Sequence, residues 1–114
     1  MRLTSEFWVS QLVRRVFNDG GYAAVMKKGA AEAGAIFIKL QFRHGAASLF
    51  APAPQTDYDS DKPQERAFSL VLDKVAAEEI DARLEREARF DADLWAVEIE
   101  LGSIRIEDLI SISQ

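Results

Sequence analysis

Apolar residues near the N-terminus recur at the period of an α-helix. Thr4 or Ser5 can cap such a helix, because a short hydroxyl accepts hydrogen bonds from the free N–H groups of a first turn. Residues 18–21 (Asn-Asp-Gly-Gly) can end it, since glycine takes the left-handed conformation of a C-cap. Between these signals lies one apolar stripe, formed by Val9, Leu12, Val13, Val16 and Phe17. The pattern predicts an amphipathic first helix.

Alternating apolar positions predict strands in the next segment. Ile36, Ile38 and Leu40 fall on one face of a strand, the clearest strand pattern in the chain. A β-prone run over residues 22–28 precedes it, and residues 46–51 can return beside it after a turn. We therefore expect residues 22–51 to form a three-stranded antiparallel meander.

The second half of the chain begins with a proline-containing loop, after which its apolar residues follow strand and helix periods in turn. Three prolines predict a loop over residues 51–66, because each proline lacks a backbone donor. Residues 67–72 match both a helix and a strand. We favour a strand there and a helix over about 76–89, with acidic residues at its start and arginines at its end. Residues 94–101 then alternate as a strand, with Trp95 on its core face.

These elements predict a single α+β domain over residues 1–101, in the order α-β-β-β-β-α-β. Its sheet should be mostly antiparallel, have about five strands and carry both helices over its core. Residues 102–114 form a C-terminal extension in this interpretation, either variable or non-native, with isoleucines that permit a further strand or a short helix.

Composition narrows the class of protein. The chain has 114 residues, 48% of them hydrophobic and 29% charged, as in a soluble globular domain. It has no cysteine and one histidine, which excludes disulfides, thiolate zinc sites, a cysteine nucleophile and multi-histidine metal sites. Its apolar runs are too short to span a bilayer, and the N-terminus lacks the apolar core of a signal peptide. We expect a cytoplasmic protein that binds no membrane, metal or cofactor.

Charge is divided unevenly between the two halves. Residues 1–51 have seven basic and three acidic residues, whereas residues 52–114 have seven and sixteen. The halves can attract each other within one fold or between copies. The alternative is an anion-binding or nucleic-acid-binding face in the basic half, although the overall pI of about 4.9 is unlike that of such domains. The candidate residues for this face are Arg14, Arg15, Lys27, Lys28 and Arg43.

Three stretches of the chain resemble a known family. They are residues 8–15 (WVSQLVRR), 32–38 (EAGAIFI) and 81–100 (DARLEREARFDADLWAVEIE), the last being the most specific. The family consists of small, uncharacterised alphaproteobacterial proteins with a domain of unknown function. The likeness covers about residues 4–100 and fades after Glu100. The resemblance implies a small cytoplasmic α+β protein, and it brings no reaction, ligand or catalytic residue.

The remaining candidates for chemistry are weak. His44 lies in a turn and has no orienting partner or pocket in the sequence, so we interpret it as an exposed turn residue. Asp57, Asp59 and Asp61 begin like a calcium loop, but Lys62 and Phe68 stand where Gly and Glu are required. The carboxylates at residues 85–93 could serve a small enzyme. Because arginines 83, 86 and 89 alternate with them, we favour surface ion pairs.

The first helix offers the best candidate for a partner surface. Phe7 and Trp8 widen its apolar stripe beyond the needs of one core. We expect a homo-oligomer, with these two aromatics near the centre of its interface and Arg14 or Arg15 at the rim. The leading hypothesis is therefore a non-enzymatic interaction or regulatory module that has a protein partner.

Overall fold

The computed structural model describes residues 3–54 and 66–113. The proposed calcium pattern at residues 57–61 lies outside the described residues. The chain forms, in order, α1 (Ser5–Asn18), β1 (Tyr22–Lys27), β2 (Ile36–Gln41), a 3-10 turn (Arg43–Gly45), β3 (Ala46–Pro52), β4 (Ala67–Ala76), α2 (Ala77–Phe90), β5 (Trp95–Glu100), α3 (Ile106–Leu109) and β6 (Ser111–Ile112).

The first helix has the caps that its sequence predicts. The Thr4 side chain accepts a hydrogen bond from the Phe7 N–H at 3.1 Å. At the other end Asp19 is the C-cap, and Gly20 follows with a φ of 86°. The apolar stripe is buried at Val9 and Val16. The caps and most of the stripe are confirmed, but Phe17, which was assigned to the stripe, is 49% exposed.

The sheet has a strand order that the sequence analysis did not predict. Its six strands, among the described residues, run β1-β5-β2-β3-β4-β6. The expected meander of residues 22–51 is wrong in one respect, because β5 lies between β1 and β2. It is antiparallel to β1 and parallel to β2, so the sheet is mixed. The other predicted neighbours, β2 and β3, do pair in antiparallel fashion.

Two glycines make room for the inserted strand. Gly29 and Gly34 flank the connection between β1 and β2, and a Cβ at either position would overlap the carbonyl oxygen of Asp93. That carbonyl also accepts a hydrogen bond from the Ala30 N–H at 2.9 Å. The residues that lead into β5 therefore pack against the connection between β1 and β2, and β5 occupies the position between these two strands.

Further differences from the expected fold lie near the C-terminus. A third helix, α3, and a sixth strand, β6, follow β5, where the sequence permitted either one. Leu109 and Ile110 are buried against the same core as α1. The Asp19 carboxylate accepts hydrogen bonds from the Ser103 hydroxyl at 2.8 Å and the Ile104 N–H at 3.0 Å. The extension thus packs on the domain, while its variability stays a prediction.

The sheet has a core on each face. The face under α1 is the larger, with buried residues Val9, Leu12, Val16, Ala23, Ile36, Ile38, Leu40, Phe50, Phe68, Trp95, Val97, Ile99, Leu109 and Ile110. The face under α2 has a smaller cluster, with Phe37, Ala47, Leu49, Ile80, Leu84, Leu94 and Ala96. The fold class is a single α+β domain, as the sequence predicts.

Candidate functional site

Two of the predicted anion-binding residues are engaged with the backbone. Arg15 donates hydrogen bonds to the carbonyls of Leu109 and Asp108, at 3.3 and 3.1 Å, and so holds α3 against α1. Lys27 Nζ donates to the carbonyls of Ala92 and Leu94, at 2.5 and 3.2 Å. Both cations stabilise loops of the domain itself.

The other basic residues of this half are scattered. Lys28 Nζ lies 3.6 Å from the Glu6 carboxylate, an exposed ion pair, and Arg14 is exposed on α1. Arg43 lies in the exposed turn that follows β2, whereas Lys28 lies in the connection that precedes this strand. Lys39 is buried on the α2 face, with its Nζ 2.9 Å from Asp81 and 3.5 Å from Glu98. The structure therefore brings only Arg14 and Lys28, of the five candidates, to one groove.

The two aromatics proposed for an interface point in different directions. Phe7 is 49% exposed. Trp8 is half-buried, and its ring lies 5.3 Å from that of Phe68 between centroids, so it packs against the core. An interface on Phe7 and Trp8 stays a prediction.

The residues considered for chemistry do not assemble into a site. His44 is exposed and has a φ of 70°, as expected of a turn residue. Arg83 pairs with Glu87 at 2.9 Å, a surface ion pair of the kind the sequence favours. The Asp91 carboxylate accepts a hydrogen bond from the Asp93 N–H and closes a turn. Across residues 3–54 and 66–113, no three acidic or histidine side chains lie close enough to hold a metal ion.

A groove between α1 and β1 has the chemistry of a docking site. Its lining includes Val9, Val13, Val25 and Trp95, and its volume is about 540 Å³. Arg14 and Lys28 stand at its polar margin together with Glu6 and Ser10. We call this the α1–β1 groove. It combines an apolar floor with a rim that has a net positive charge.

The strand beside the groove exposes apolar side chains on both faces of the sheet, Val25 toward α1 and Met26 toward α2. β1 is an edge strand, and Val25 and Met26 are 44% and 43% exposed there. At the start of β1 the rings of Phe17 and Tyr22 lie 5.9 Å apart in an edge-to-face arrangement, each about half exposed. Several exposed apolar side chains on and near an open edge strand are unusual on a monomer and typical of a surface that binds a partner.

The opposite edge of the sheet is better protected. β6 pairs with the first residues of β4. Farther along β4, Lys74 adopts a φ of 53°, and its N–H donates a hydrogen bond to the Ser48 hydroxyl at 2.9 Å. Because this bulge places charged residues on the edge, it interrupts any further pairing, even though Leu70 and Val71 are exposed.

Sequence reasoning identified the basic rim of the groove but not its apolar floor. Val25 and Met26 were treated only as part of the first strand of a meander, with no role assigned to their side chains. The signal available in the sequence was the pair of adjacent apolar residues on opposite faces of a short strand that ends in two lysines.

The described helices do not include one that is long and apolar enough to cross a membrane.

No curated protein matches the sequence. Among solved structures, the chain is similar to a protein from A. tumefaciens known from its solution structure. The two are 51% identical with a TM-score of 0.84, over 100% of this chain and 97% of the other.

A second relative comes from Caulobacter crescentus CB15. Its crystal structure is 34% identical with a TM-score of 0.78, and the match covers 100% of both chains. The model of one family, described as "Protein of unknown function (DUF1491)", matches residues 3–106. The alphaproteobacterial resemblance read from the sequence is thereby confirmed. This chain belongs to the DUF1491 family, whose function is not established.

Proposed function

We propose that the protein is a non-enzymatic, cytoplasmic protein-interaction module whose docking surface is the α1–β1 groove with the adjoining edge of β1. The observation that carries the proposal is the groove itself, in which the half-exposed Val25 of an edge strand lies beside Val13 and the largely buried side chains of Val9 and Trp95. Partners with extended or protruding apolar segments fit such a surface, because they gain apolar contacts in the groove and hydrogen bonds along the strand.

The rim of the groove adds selectivity for charge. Arg14 and Lys28 outnumber Glu6 there, although the whole chain has a net charge of −5. Complementary charge raises association rates and disfavours wrong partners. The module therefore selects an apolar segment that is flanked by acidic residues, and a homo-oligomer is one way to supply such a segment.

Nucleic-acid binding receives no support from the geometry. Phosphate backbones are bound by several cations on one face. Here Arg15 and Lys27 are held by backbone carbonyls, and Lys39 is buried between carboxylates. An enzyme that uses the carboxylates near residues 85–93 receives none either, since Glu87 and Asp91 already have partners within the domain.

Site-specific photo-crosslinking tests the proposal. A photoreactive phenylalanine analogue replaces Val25 in the groove, and a matched protein has it at Gln11, which is exposed on α1 but lines no part of the groove. In native lysate we expect a discrete protein adduct from position 25, absent at position 11. The adduct should weaken in an Arg14→Glu, Lys28→Glu background.

Three outcomes would count against the proposal. Equal adducts at both positions would mean that the groove is not selective. The absence of any adduct at position 25 would remove the docking surface. Adducts that disappear on nuclease treatment would favour the nucleic-acid alternative.

A further inference from the structure

Phe90 is the most exposed large apolar residue in the described part of the chain. It ends α2 and is 91% exposed, whereas the other exposed large apolar side chains are 37–50% exposed. An isolated exposed apolar residue is ordinary, but a fully exposed phenylalanine is costly to solubility and is common at the centre of interfaces.

The turn that follows Phe90 is held rigidly. Lys27 Nζ binds two of its carbonyls, and the Asp91 side chain accepts from the Asp93 N–H at 3.0 Å. The Ala30 N–H donates to the Asp93 carbonyl at 2.9 Å, and the Trp95 indole donates to the Ala30 carbonyl at 2.7 Å. An aromatic side chain next to such a turn loses little backbone entropy on binding, so it is well suited to be an anchor.

Charge relates this anchor to the α1–β1 groove. Asp91 and Asp93 follow Phe90 directly and are exposed. Arg14 and Lys28 stand on the rim of the apolar groove, where Glu6 lies 3.6 Å from Lys28 and leaves one net positive charge. An aromatic ring flanked by carboxylates is therefore the chemical complement of an apolar groove with a cationic rim.

Both surfaces adjoin the same end of the sheet, with the groove on the α1 face and Phe90 at the end of α2 on the other face. Trp95 lines the groove and begins β5, directly after the turn that bears Phe90. The phenyl ring cannot be filling the groove of its own chain, because it is almost wholly exposed. Around a two-fold axis at this end, each copy can present its ring to the groove of the other, which closes the assembly at two copies.

We propose that the segment bound in the α1–β1 groove is Phe90 of a second copy, with Asp91 and Asp93 facing Arg14 and Lys28, so that the protein forms a reciprocal dimer. This inference rests on the proposed function and names its partner. It places the aromatic centre of the interface at Phe90 rather than at Phe7 and Trp8. The groove, at about 540 Å³, has room for a phenyl ring and the chain beside it.

Sedimentation equilibrium over a roughly hundredfold range of protein concentration tests the dimer. We expect Phe90→Ala to weaken self-association at least about 30-fold, as the loss of an interface hot spot does. The matched control is Phe7→Ala, an exposed phenylalanine on α1, which should leave the dissociation constant unchanged. Raised salt should weaken the wild-type dimer, because the proposed contacts include exposed charges.

A mixing experiment distinguishes this contact from other dimers. Phe90→Ala has an intact groove and no anchor, whereas Val25→Glu has an intact anchor and a charged groove. Neither should self-associate, yet an equimolar mixture should form a heterodimer through one remaining contact. Both substitutions are at exposed positions, so far-ultraviolet circular dichroism should confirm that the variants are folded.

Several results would overturn the inference. They are a monomer at every concentration, a dimer that Phe90→Ala leaves intact, a dimer lost on Phe7→Ala, and variants that fail to bind each other. If β1 strands paired with each other instead, Val25→Glu would abolish the dimer while Phe90→Ala would leave it intact. A selective adduct at position 25 with a different protein would preserve the proposed function while the dimer fails, so the two failures are distinguishable.

Discussion

The two faces of the sheet are stabilised in different ways. Under α1 and α3 lies the larger cluster of buried apolar residues, beside the buried Ser5 of α1, which donates a hydrogen bond to the Gly34 carbonyl. Under α2 the cluster is half as large, and the central strand places Lys39 there with its side chain 5% exposed. The lysine is satisfied by Asp81 from α2 and Glu98 from β5. The first face combines apolar burial with hydrogen bonds from neutral groups and exposed charges. The second face also depends on a buried charge that must keep its partners.

The three charged groups on the second face differ in their exposure to solvent. Lys39 is buried, but the side chains of Asp81 and Glu98 are 47% and 26% exposed. Such a cluster adds little net stability, because desolvation of the cation offsets most of the attraction. What it does is fix the position of α2, since a shift of the helix would leave the buried ammonium group with one acceptor fewer.

The largest effect should come from the first face. Trp95→Ala removes a side chain that is 3% exposed and should reduce the free energy of unfolding by about 3–5 kcal/mol. His44→Ala, at an exposed turn, should change it by no more than about 0.5 kcal/mol. Urea midpoints of the two variants decide the matter, and equal losses would mean that the first face does not dominate stability.

A smaller loss is expected from the second face. Asp81→Asn combined with Glu98→Gln leaves Lys39 charged and buried without its partners. We expect the free energy of unfolding to fall by about 3 kcal/mol. This is the low end of the cost of breaking a buried ion pair, because Asp81 is half exposed. Lys39→Met is the control and should cost less than about 1 kcal/mol. Thermal unfolding of both variants makes the comparison. A larger loss for Lys39→Met would show that the cluster stabilises in its own right.

A third prediction concerns pH. Hydrogen bonds from the Ile104 N–H, and then from the Ser103 side chain, hold the pKa of Asp19 below its ordinary value of 3.8. The folded state therefore binds this proton less readily than the unfolded chain, so the contribution is complete above that value. It is lost as pH falls through the lower folded pKa.

Asp19→Asn should destabilise the protein modestly at neutral pH and converge with wild type in acid. Urea midpoints from neutral pH down to about pH 2 measure this. Two curves that stay parallel over the whole range would contradict the assigned role of the carboxylate. Because Asp19 joins the end of α1 to the chain leading to α3, the effect belongs to the first face.

We expect a metal chelator to have no effect on the stability of the protein. One histidine and no cysteine are present in the sequence, and the described residues bring no three ligands together. The melting temperature should therefore be the same with and without EDTA. A marked fall of the melting temperature in EDTA would mean that a bound metal ion stabilises the fold in addition to the two cores.

Local patterns predicted the elements well. The period of Val9, Leu12 and Val16 reflects burial on one side of a helix, which a sequence records directly. The alternation of Ile36 and Ile38 located β2, although that strand is buried on both faces. The place of β1 could not be obtained this way, since any β-prone strand can pair with any other edge. Choosing β5 depended on the fit of the Asp93 carbonyl against Gly29 and Gly34, a contact between residues far apart in sequence.

The candidate site was predicted only in part. Arg14 and Lys28 were identified by charge, which the sequence shows. That Arg15 and Lys27 are held by carbonyls could not be foreseen, because backbone acceptors carry no sequence signal. Phe90 was quoted within a recognisable stretch, but its exposure depends on where α2 ends relative to the sheet.

The insertion of β5 between β1 and β2 has a consequence for folding in the cell. Until residues 95–100 have left the ribosome, β1 has no neighbour in the sheet, and α1 lacks the β5 part of the core against which it packs. The N-terminal third of the chain must therefore wait for the C-terminal part, and closing so distant a pairing is slow. During synthesis the apolar stripe of α1 should be a binding site for chaperones, released when β5 completes the sheet.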